Sequence, residues 1–229
     1  MWLEQLWNEK LGGISKKQLW GKILLCFVGN FVACIGCAFF IDSQLGSDPI
    51  SVFLDGLTAT FGVSLGTASA IYTYGALAVA LLFAFKYLNL GTIISSVVWA
   101  NVLGWADIVI RGTWGNEIDL TTKVLFLVIG IIVMPAGLAL SVSARFGFGS
   151  MDSILFRISD KIPKLNYGNL KMIADGTWIV IGFLMGGIVG VGSIVGFLFT
   201  GPLISFFVKL YNKFILGIFD LKDPMNEKV

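Results

Sequence analysis

Six apolar stretches constrain the fold of this chain more than any other feature of its sequence. A helix needs about 20 mainly apolar residues to cross a hydrocarbon core of about 30 Å, and only 13% of the 229 residues are charged. A water-soluble globular fold is therefore excluded. The sequence predicts an all-α membrane protein with spans at Ile23–Ile41, Thr67–Phe85, Leu90–Ile110, Val124–Val142, Met172–Gly187 and Val189–Val208.

The charge and residue types of the chain exclude several classes of function. A net charge of +2 is too small and too dispersed for binding to DNA or RNA. The absence of histidine removes the commonest general base and metal ligand. The sequence shows no Walker motif, no pairing of a nucleophile with a base and no cluster of metal ligands. We therefore expect a protein that is not an enzyme and that has no cofactor and no nucleic-acid partner.

The positions of the cations predict how the chain lies in the membrane. Of the 16 Lys and Arg residues, all but Arg111 and Lys123 fall on the side of the N-terminus when six spans are drawn. Lys and Arg near the ends of spans are retained in the cytoplasm. The sequence therefore predicts a multi-pass protein of the plasma membrane with both termini in the cytoplasm.

An internal duplication divides the chain into two halves. A displacement of 101 residues places Gly29 on Gly130 and Gly36 on Gly137. Each half contains three spans, an odd number, so the second copy enters the membrane from the opposite side. We expect two inverted three-helix repeats. Further matches under this displacement are Lys22 with Lys123, Gly46 with Gly147, and Gly91-Thr92-Ile93 with Gly192-Ser193-Ile194.

The predicted segments of the chain follow from this duplication. Residues 19–111 form repeat 1 and residues 122–213 form repeat 2, joined by an outer loop over residues 112–121. Residues 214–229 form a cytoplasmic tail. Apolar residues recur at helical spacing near the N-terminus, which predicts a short interfacial helix over residues 1–18. A frayed tail is the alternative for that segment.

Each half also contains a short helix that is too short and too polar to cross the membrane. Asp48 precedes Pro49 as a helix N-cap and Ser150 caps the second copy, with Asp152 in its first turn. If such a helix is broken or re-entrant, its N-terminal amides offer a site for an anionic group of a substrate. Alternatively, the two acids satisfy those amides and the short helices lie flat at the two surfaces.

Polar residues within apolar segments mark candidate sites, since ionisable groups are costly inside a membrane. Asn101 ranks first among the neutral candidates, and Asn30, Tyr72, Tyr74, Trp99, Trp105 and Trp178 are further sources of hydrogen bonds and ring faces. Asp175 also fits a helical ion pair with Lys171, and Asp107 fits a solvated outer position. The predicted substrate-binding residues are Asp48, Ser51, Asp55, Asn101, Ser150 and Asp152, and the predicted coupling acids are Asp55 and Asp175.

Small residues form a smooth stripe on the first span. Gly29, Ala33 and Cys37 recur at every fourth position, which favours close helix packing. This stripe fits packing within the bundle, a homodimer or a partner membrane subunit.

One motif in each half carries a resemblance to a known family. The segment from Gly46 to Leu57, with Gly66-Thr67 and Leu90-Gly91-Thr92-Ile93 after it, resembles the YczE/YyaS/YitT group of bacterial multi-pass membrane proteins. The segment from Gly147 to Leu155 is similar to the same pattern of a glycine turn, an acid and apolar residues. The first copy has Ser51 where that acid often stands. The resemblance implies a polytopic plasma-membrane protein without a known substrate.

These patterns together favour a carrier. Inverted repeats are common in secondary transporters, so the sequence predicts a transporter of a small polar or anionic organic solute that works by alternating access. Coupling to protons is one option for its driving force. The expected partners are that small molecule and the lipid bilayer. Two alternatives remain: a substrate-binding membrane subunit of an energy-coupling vitamin importer, and a membrane scaffold or maturation factor that transports nothing.

Overall fold

The chain folds into helices that are long and apolar enough to cross a membrane. The computed structural model describes residues 15–115, 117–147, 149–162 and 167–214. Five helices in these ranges meet the length and composition needed for a span: α1, α3, α4, α5 and α8. The protein is thus an integral membrane protein. The eight helices of the described ranges are α1 Lys16–Asp42, α2 Pro49–Phe61, α3 Leu65–Phe83, α4 Leu90–Trp114, α5 Leu120–Ser143, α6 Ser150–Lys161, α7 Tyr167–Leu184 and α8 Val191–Phe214, with a 3₁₀ turn at Phe85–Tyr87.

The ends of the predicted segments change in several places. Residues 16–18, assigned to an interfacial helix, belong to α1, and residues 1–14 lie outside the described residues. The predicted span Met172–Gly187 is wrong at both ends, because α7 runs from Tyr167 to Leu184. This helix is also too polar to count among the five candidate spans. The predicted tail over 214–229 lies outside the described residues except for Phe214, which ends α8.

The centre of the fold is an antiparallel pair formed by α1 and α5. Gly29, at the middle of α1, lies against Ser141, whereas Phe40, near the end of α1, lies against Gly130. Small residues let the two backbones approach closely, which is how helices associate in lipid. The predicted stripe Gly29, Ala33 and Cys37 is buried within the chain. It therefore serves the bundle itself.

Gly130 supports a direct test of this contact. A Cβ added there would lie 2.6 Å from Cβ of Phe40 and 2.7 Å from its Cα. We expect Gly130→Ala to destabilise the protein by about 1–3 kcal/mol through overpacking. The matched control is Gly75→Ala in α3, where an added Cβ meets nothing within 4 Å. The measurement is the melting temperature of each variant in detergent. Equal melting temperatures for the two variants would contradict the close contact between Gly130 and Phe40.

The helix α4 runs parallel to α1 and is joined to it by a buried asparagine. The amide nitrogen of Asn30 donates to the Oγ atoms of Ser95 (3.0 Å) and Ser141 (2.8 Å). Its Oδ1 accepts from Nε1 of Trp99 at 2.9 Å. Asn30 thus links α1, α4 and α5 by hydrogen bonds, as intramembrane asparagines commonly do.

A similar break in the chain follows α1 and α5. Gln44 and Arg145 are the only non-glycine residues with positive φ in the described ranges, at 56° and 46°. Gly46 (91°) and Gly147 (143°) follow two residues later, with backbone angles that favour glycine. The two breaks turn the chain back toward the bundle before α2 and α6 begin.

Each break is fixed by a backbone hydrogen bond to a helix of the other half. The amide of Gly192, at the start of α8, donates to the carbonyl of Leu45 at 2.8 Å. The amide of Gly91, at the start of α4, donates to the carbonyl of Phe146 at 3.0 Å. Each turn is therefore held at the first residues of a long helix.

Both short helices begin inside the bundle and end near opposite ends of it. The Oγ of Ser51, in the first turn of α2, lies 3.1 Å from Sγ of Cys37, which precedes the end of α1 by five residues or about 7 Å. Ser150, the first residue of α6, lies 2.8 Å from Ser96 inside α4. The first turns of both short helices therefore lie against the interior of long helices.

Candidate functional site

A group of polar side chains gathers where the two short helices begin. We call it the central cluster and define it as Asp48, Ser51, Tyr72, Asp152, Tyr167, Lys171 and Asp175. The cross-packing of the halves creates it: α2 packs against α7, and α6 packs against α3. Four helices thus contribute to one site.

The cation of the central cluster is Lys171. Its Nζ donates to Oδ1 of Asp175, one helical turn later, at 3.0 Å. The ion pair between Lys171 and Asp175 that the sequence analysis offers is therefore confirmed. The charges of Asp152 and Asp48 also act on Lys171. One ammonium group thus lies among three carboxylates.

The first short helix contributes Asp48 and Ser51. Asp48 occupies the N-cap position with Pro49 next to it, as the sequence predicts. The hydroxyl of Ser51 donates to a carboxylate oxygen of Asp48, and the Oγ of Ser51 also contacts Sγ of Cys37. Both predicted residues of α2 therefore point into the bundle interior next to α1.

The second short helix contributes Asp152. Tyr167 donates its hydroxyl to Oδ1 of Asp152 at 2.9 Å, and its ring stacks on Phe156 at 4.3 Å. The prediction that Ser150 caps this helix is wrong, because Gly149 occupies the N-cap. Ser150 is the first helical residue, and its hydroxyl pairs with Ser96 instead.

Three aromatic rings border the central cluster, and we call them the aromatic trio: Phe53, Tyr72 and Trp178. Trp178 lies 4.7 Å from Phe53 and 5.5 Å from Tyr72 between ring centroids. All three residues remain partly exposed. Tyr72 belongs to both groups, so the trio continues directly into the polar cluster.

The hydroxyl of Tyr72 is the unsatisfied group of this site. Its oxygen is buried and has no hydrogen-bond partner within the part of the chain that the structure describes. The charges of Asp152, Asp48 and Asp175 act on it. A buried hydroxyl without a partner costs about 1–3 kcal/mol, and ligand-binding sites are places where such groups persist.

A second polar region lies at the end of the bundle where α1 finishes. Arg111 binds Asp42 at 2.9 Å and Asp107 at 2.6 Å, and we call these three residues the Arg111 cluster. Asp107 is buried and paired, so the prediction of a solvated residue is wrong. A cavity of about 170 Å³ adjoins the cluster. Its lining is Ile41, Asp55, Thr58, Val63, Ser64, Leu65, Asp107 and Arg111.

Three predicted site residues lie outside the central cluster: Ser150, which pairs with Ser96, and Asp55 and Asn101. Asp55 lines the cavity beside the Arg111 cluster, and its Oδ2 accepts from the amide of Ile188 at 2.8 Å. Asn101 lies on an exposed face of α4, where its amide donates to the carbonyl of Val97 and to the hydroxyl of Tyr74. The structure therefore brings together Asp48, Ser51, Asp152 and Asp175 and separates Ser150, Asp55 and Asn101 from them.

Sequence reasoning missed several members of the site. The sequence patterns identify Lys171 only as the partner of Asp175 and do not point to Tyr167 or Phe53 as members of a site. Tyr72 and Trp178 were candidates only as general sources of ring contacts. The signal available for Lys171 and Asp175 was their spacing of four residues in a helix. No local pattern links α7 to α2 or α6, so their meeting was not predictable.

Comparison with known proteins places the chain among relatives of undetermined function. Residues 20–209 match a family whose description reads "Family of unknown function (DUF6198)". The chain is 25% identical to an uncharacterized protein of Haemophilus influenzae over 77% of its length and 78% of that protein. No solved structure matches the chain.

Two relatives from Bacillus subtilis agree with the resemblance seen in the sequence. The uncharacterized protein YyaS is 22% identical over 83% of this chain and 94% of its own length. The uncharacterized membrane protein YczE is 25% identical over 79% of this chain and 82% of its own length. The predicted family is thus confirmed, and none of these descriptions names a substrate.

Proposed function

The chain belongs to the DUF6198 family of unknown function, and we propose that it is a carrier that moves a small polar solute across the plasma membrane by alternating access. The observation that carries this proposal is the meeting of two short helices at one polar cluster after entering the bundle from opposite ends. Discontinuous helices that end at a central site are a feature of secondary transporters.

An inverted repeat underlies the proposed mechanism. The displacement of 101 residues makes α1 equivalent to α5, and the contacts of Gly29 and Phe40 support an antiparallel arrangement of this pair. The same displacement relates Leu45 to Phe146 and Gly91 to Gly192. The hydrogen bond from Gly192 to Leu45 therefore corresponds to the one from Gly91 to Phe146. We infer two halves of opposite orientation, with α7 as the sixth span and both termini in the cytoplasm.

The composition of the central cluster fits the binding step of such a carrier. Asp48, Asp152 and Lys171 come from three helices that belong to both halves. A movement of one half against the other changes the distances between these groups. Asp175 is the proposed coupling acid, because protonation of its carboxylate breaks the ion pair with Lys171. Asp55 and its cavity then belong to the route by which solute reaches the site from one side.

Counterflow in liposomes tests the transport proposal. Purified protein is reconstituted with each of three labelled probes that differ in charge: choline, alanine and succinate. We expect saturable counterflow of at least one probe, reduced about ten-fold or more in Asp175→Asn, since a hydrogen bond to a charged group contributes about 1.5–3 kcal/mol. Asp119→Asn is the matched control, because Asp119 caps α5 outside the spans.

The outcomes separate the proposal from its competitors. Saturable counterflow by the protein alone supports a carrier. No counterflow of any probe by folded protein, combined with copurification of an ATPase pair, would favour the importer subunit instead. No counterflow without such partners would favour the scaffold.

A further inference from the structure

We propose that the transported solute is a small organic cation whose ammonium or quaternary ammonium group binds between the carboxylates of the central cluster and the aromatic trio. The substrate class rests on the proposed function, because it identifies what the same site carries. It also makes the proposed function more specific, because the sequence analysis allows an anionic solute and a cation site excludes one.

The balance of charge in the central cluster is the first argument. Lys171 forms its ion pair with Asp175. Asp48 accepts a hydrogen bond from the hydroxyl of Ser51, and Asp152 accepts one from the hydroxyl of Tyr167. Neither carboxylate has a cation within 4 Å among the described residues. Carboxylates inside a membrane protein are costly unless they are paired. The site therefore has more carboxylates than cations. A cationic solute would balance this excess of negative charge, whereas an anionic solute would increase it.

The aromatic trio is the second argument. Ring faces of Trp and Tyr attract ammonium groups, and aromatic cages are the recurrent sites for quaternary ammonium ligands. Trp178 and Tyr72 meet almost at a right angle, with an interplanar angle of 88°. Both rings are partly exposed, and the charges of Asp152, Asp48 and Asp175 act on the hydroxyl of Tyr72. A bare metal ion or a proton would use the carboxylates but would not need the rings.

The hydroxyl of Tyr72 is the third and independent argument. It is buried without a hydrogen-bond partner within the described ranges and lies in the field of Asp152, Asp48 and Asp175. A solute that carries a hydroxyl or carbonyl oxygen beside its ammonium group would satisfy this donor. The geometry therefore favours a cation with a second, oxygen-bearing end.

Thermal stabilisation of purified protein by four salts tests the substrate class. The probes are choline, tetramethylammonium, sodium chloride and sodium methanesulfonate at equal ionic strength. A ligand that binds only the folded protein raises its melting temperature in a concentration-dependent way. We expect saturable stabilisation by choline and tetramethylammonium beyond that of sodium chloride, and none beyond it by methanesulfonate.

Three variants locate the binding site. We expect Trp178→Leu to weaken choline binding about ten-fold or more, since a desolvated cation–π contact contributes about 2 kcal/mol. We expect a loss of similar size in Asp152→Asn, because this variant removes a carboxylate charge that attracts the ammonium group. Trp105→Leu is the matched control, because Trp105 is 52% exposed on α4 and its ring contact is with Phe31. Tyr72→Phe should weaken choline about five-fold and leave tetramethylammonium unchanged, because only choline has a hydroxyl for the lost donor.

The results that overturn the substrate class are distinct from those that overturn transport. Stabilisation by methanesulfonate alone, or equal stabilisation by all four salts, would refute an organic cation whatever the counterflow assay shows. Choline binding that is unchanged in Trp178→Leu and Asp152→Asn would also refute it. Choline binding with the expected variant pattern but without counterflow would uphold the cation site and refute the carrier.

Discussion

Replacing Arg111 with methionine is expected to lower the stability of the folded protein by about 3 kcal/mol, because it leaves buried carboxylates without their cation. The side chains of Asp42 and Asp107 are only 6% and 13% exposed, and both are bound to Arg111. The Arg111 side chain is itself 43% exposed, so the low end of the range for broken buried ion pairs applies. For a chain of this length that corresponds to a fall of about 6–12 °C in melting temperature.

A rescue experiment separates this electrostatic cause from lost packing. Adding Asp42→Asn and Asp107→Asn to the Arg111→Met variant removes the stranded charges, and we expect it to restore at least half of the lost stability. Arg157→Met is the matched control, because Arg157 forms no ion pair among the described residues. A triple variant no more stable than Arg111→Met would show that the guanidinium acts through packing alone.

The long helices were the part of the fold that hydropathy predicted well. The predicted span Leu90–Ile110 corresponds to the helix Leu90–Trp114, and the predicted span Val124–Val142 corresponds to the helix Leu120–Ser143. The bilayer requires apolar segments of a certain length, and that length can be read from consecutive residues without knowledge of tertiary contacts. The exception is α7, where Lys171 and Asp175 looked like the edge of a span. They are a pair inside the helix, and their opposite charges lie one helical turn apart.

The candidate site was predicted only in part, and the reason is physical. Helix-cap patterns are local, so Asp48 and Asp152 were found from their neighbours in sequence. Asp55 follows Asp48 by seven residues, which keeps it near the same helix face but moves it about 10 Å along the axis. It therefore reaches the cavity beside the Arg111 cluster. Cap and spacing patterns do not report such a change of environment.

Contacts between the halves explain the remaining errors. Phe53 meets Trp178, which is far away in sequence, because α2 packs on the third helix of the other half. The sequence predicts Asn101 as a site residue because it lies near the middle of its span. The side of α4 on which it lies depends on which helices pack against α4, and the sequence does not show this. α1 and α3 cover other faces of α4 and leave Asn101 exposed. A single sequence contains the repeat but does not show how its copies interlock.

Labelling of engineered cysteines should give an all-or-none difference between two equivalent positions if the halves are inverted. Thr60 and Lys161 are separated by the repeat displacement of 101 residues, and both are exposed near the ends of α2 and α6. In an inverted repeat these helix ends face opposite sides of the membrane. We expect a membrane-impermeant maleimide to label Thr60→Cys in intact cells and to label Lys161→Cys only after permeabilisation.

The natural cysteines give this experiment a low background. Cys26, Cys34 and Cys37 are all buried, so the unmodified protein is the control and should remain unlabelled in intact cells. The side on which each cysteine reacts also reports the position of the termini, because α1 ends on the same side as α2. Labelling of both engineered cysteines from one side would refute the inverted arrangement. Alternating access around the central cluster would then lose its structural basis, because both short helices would enter from the same face.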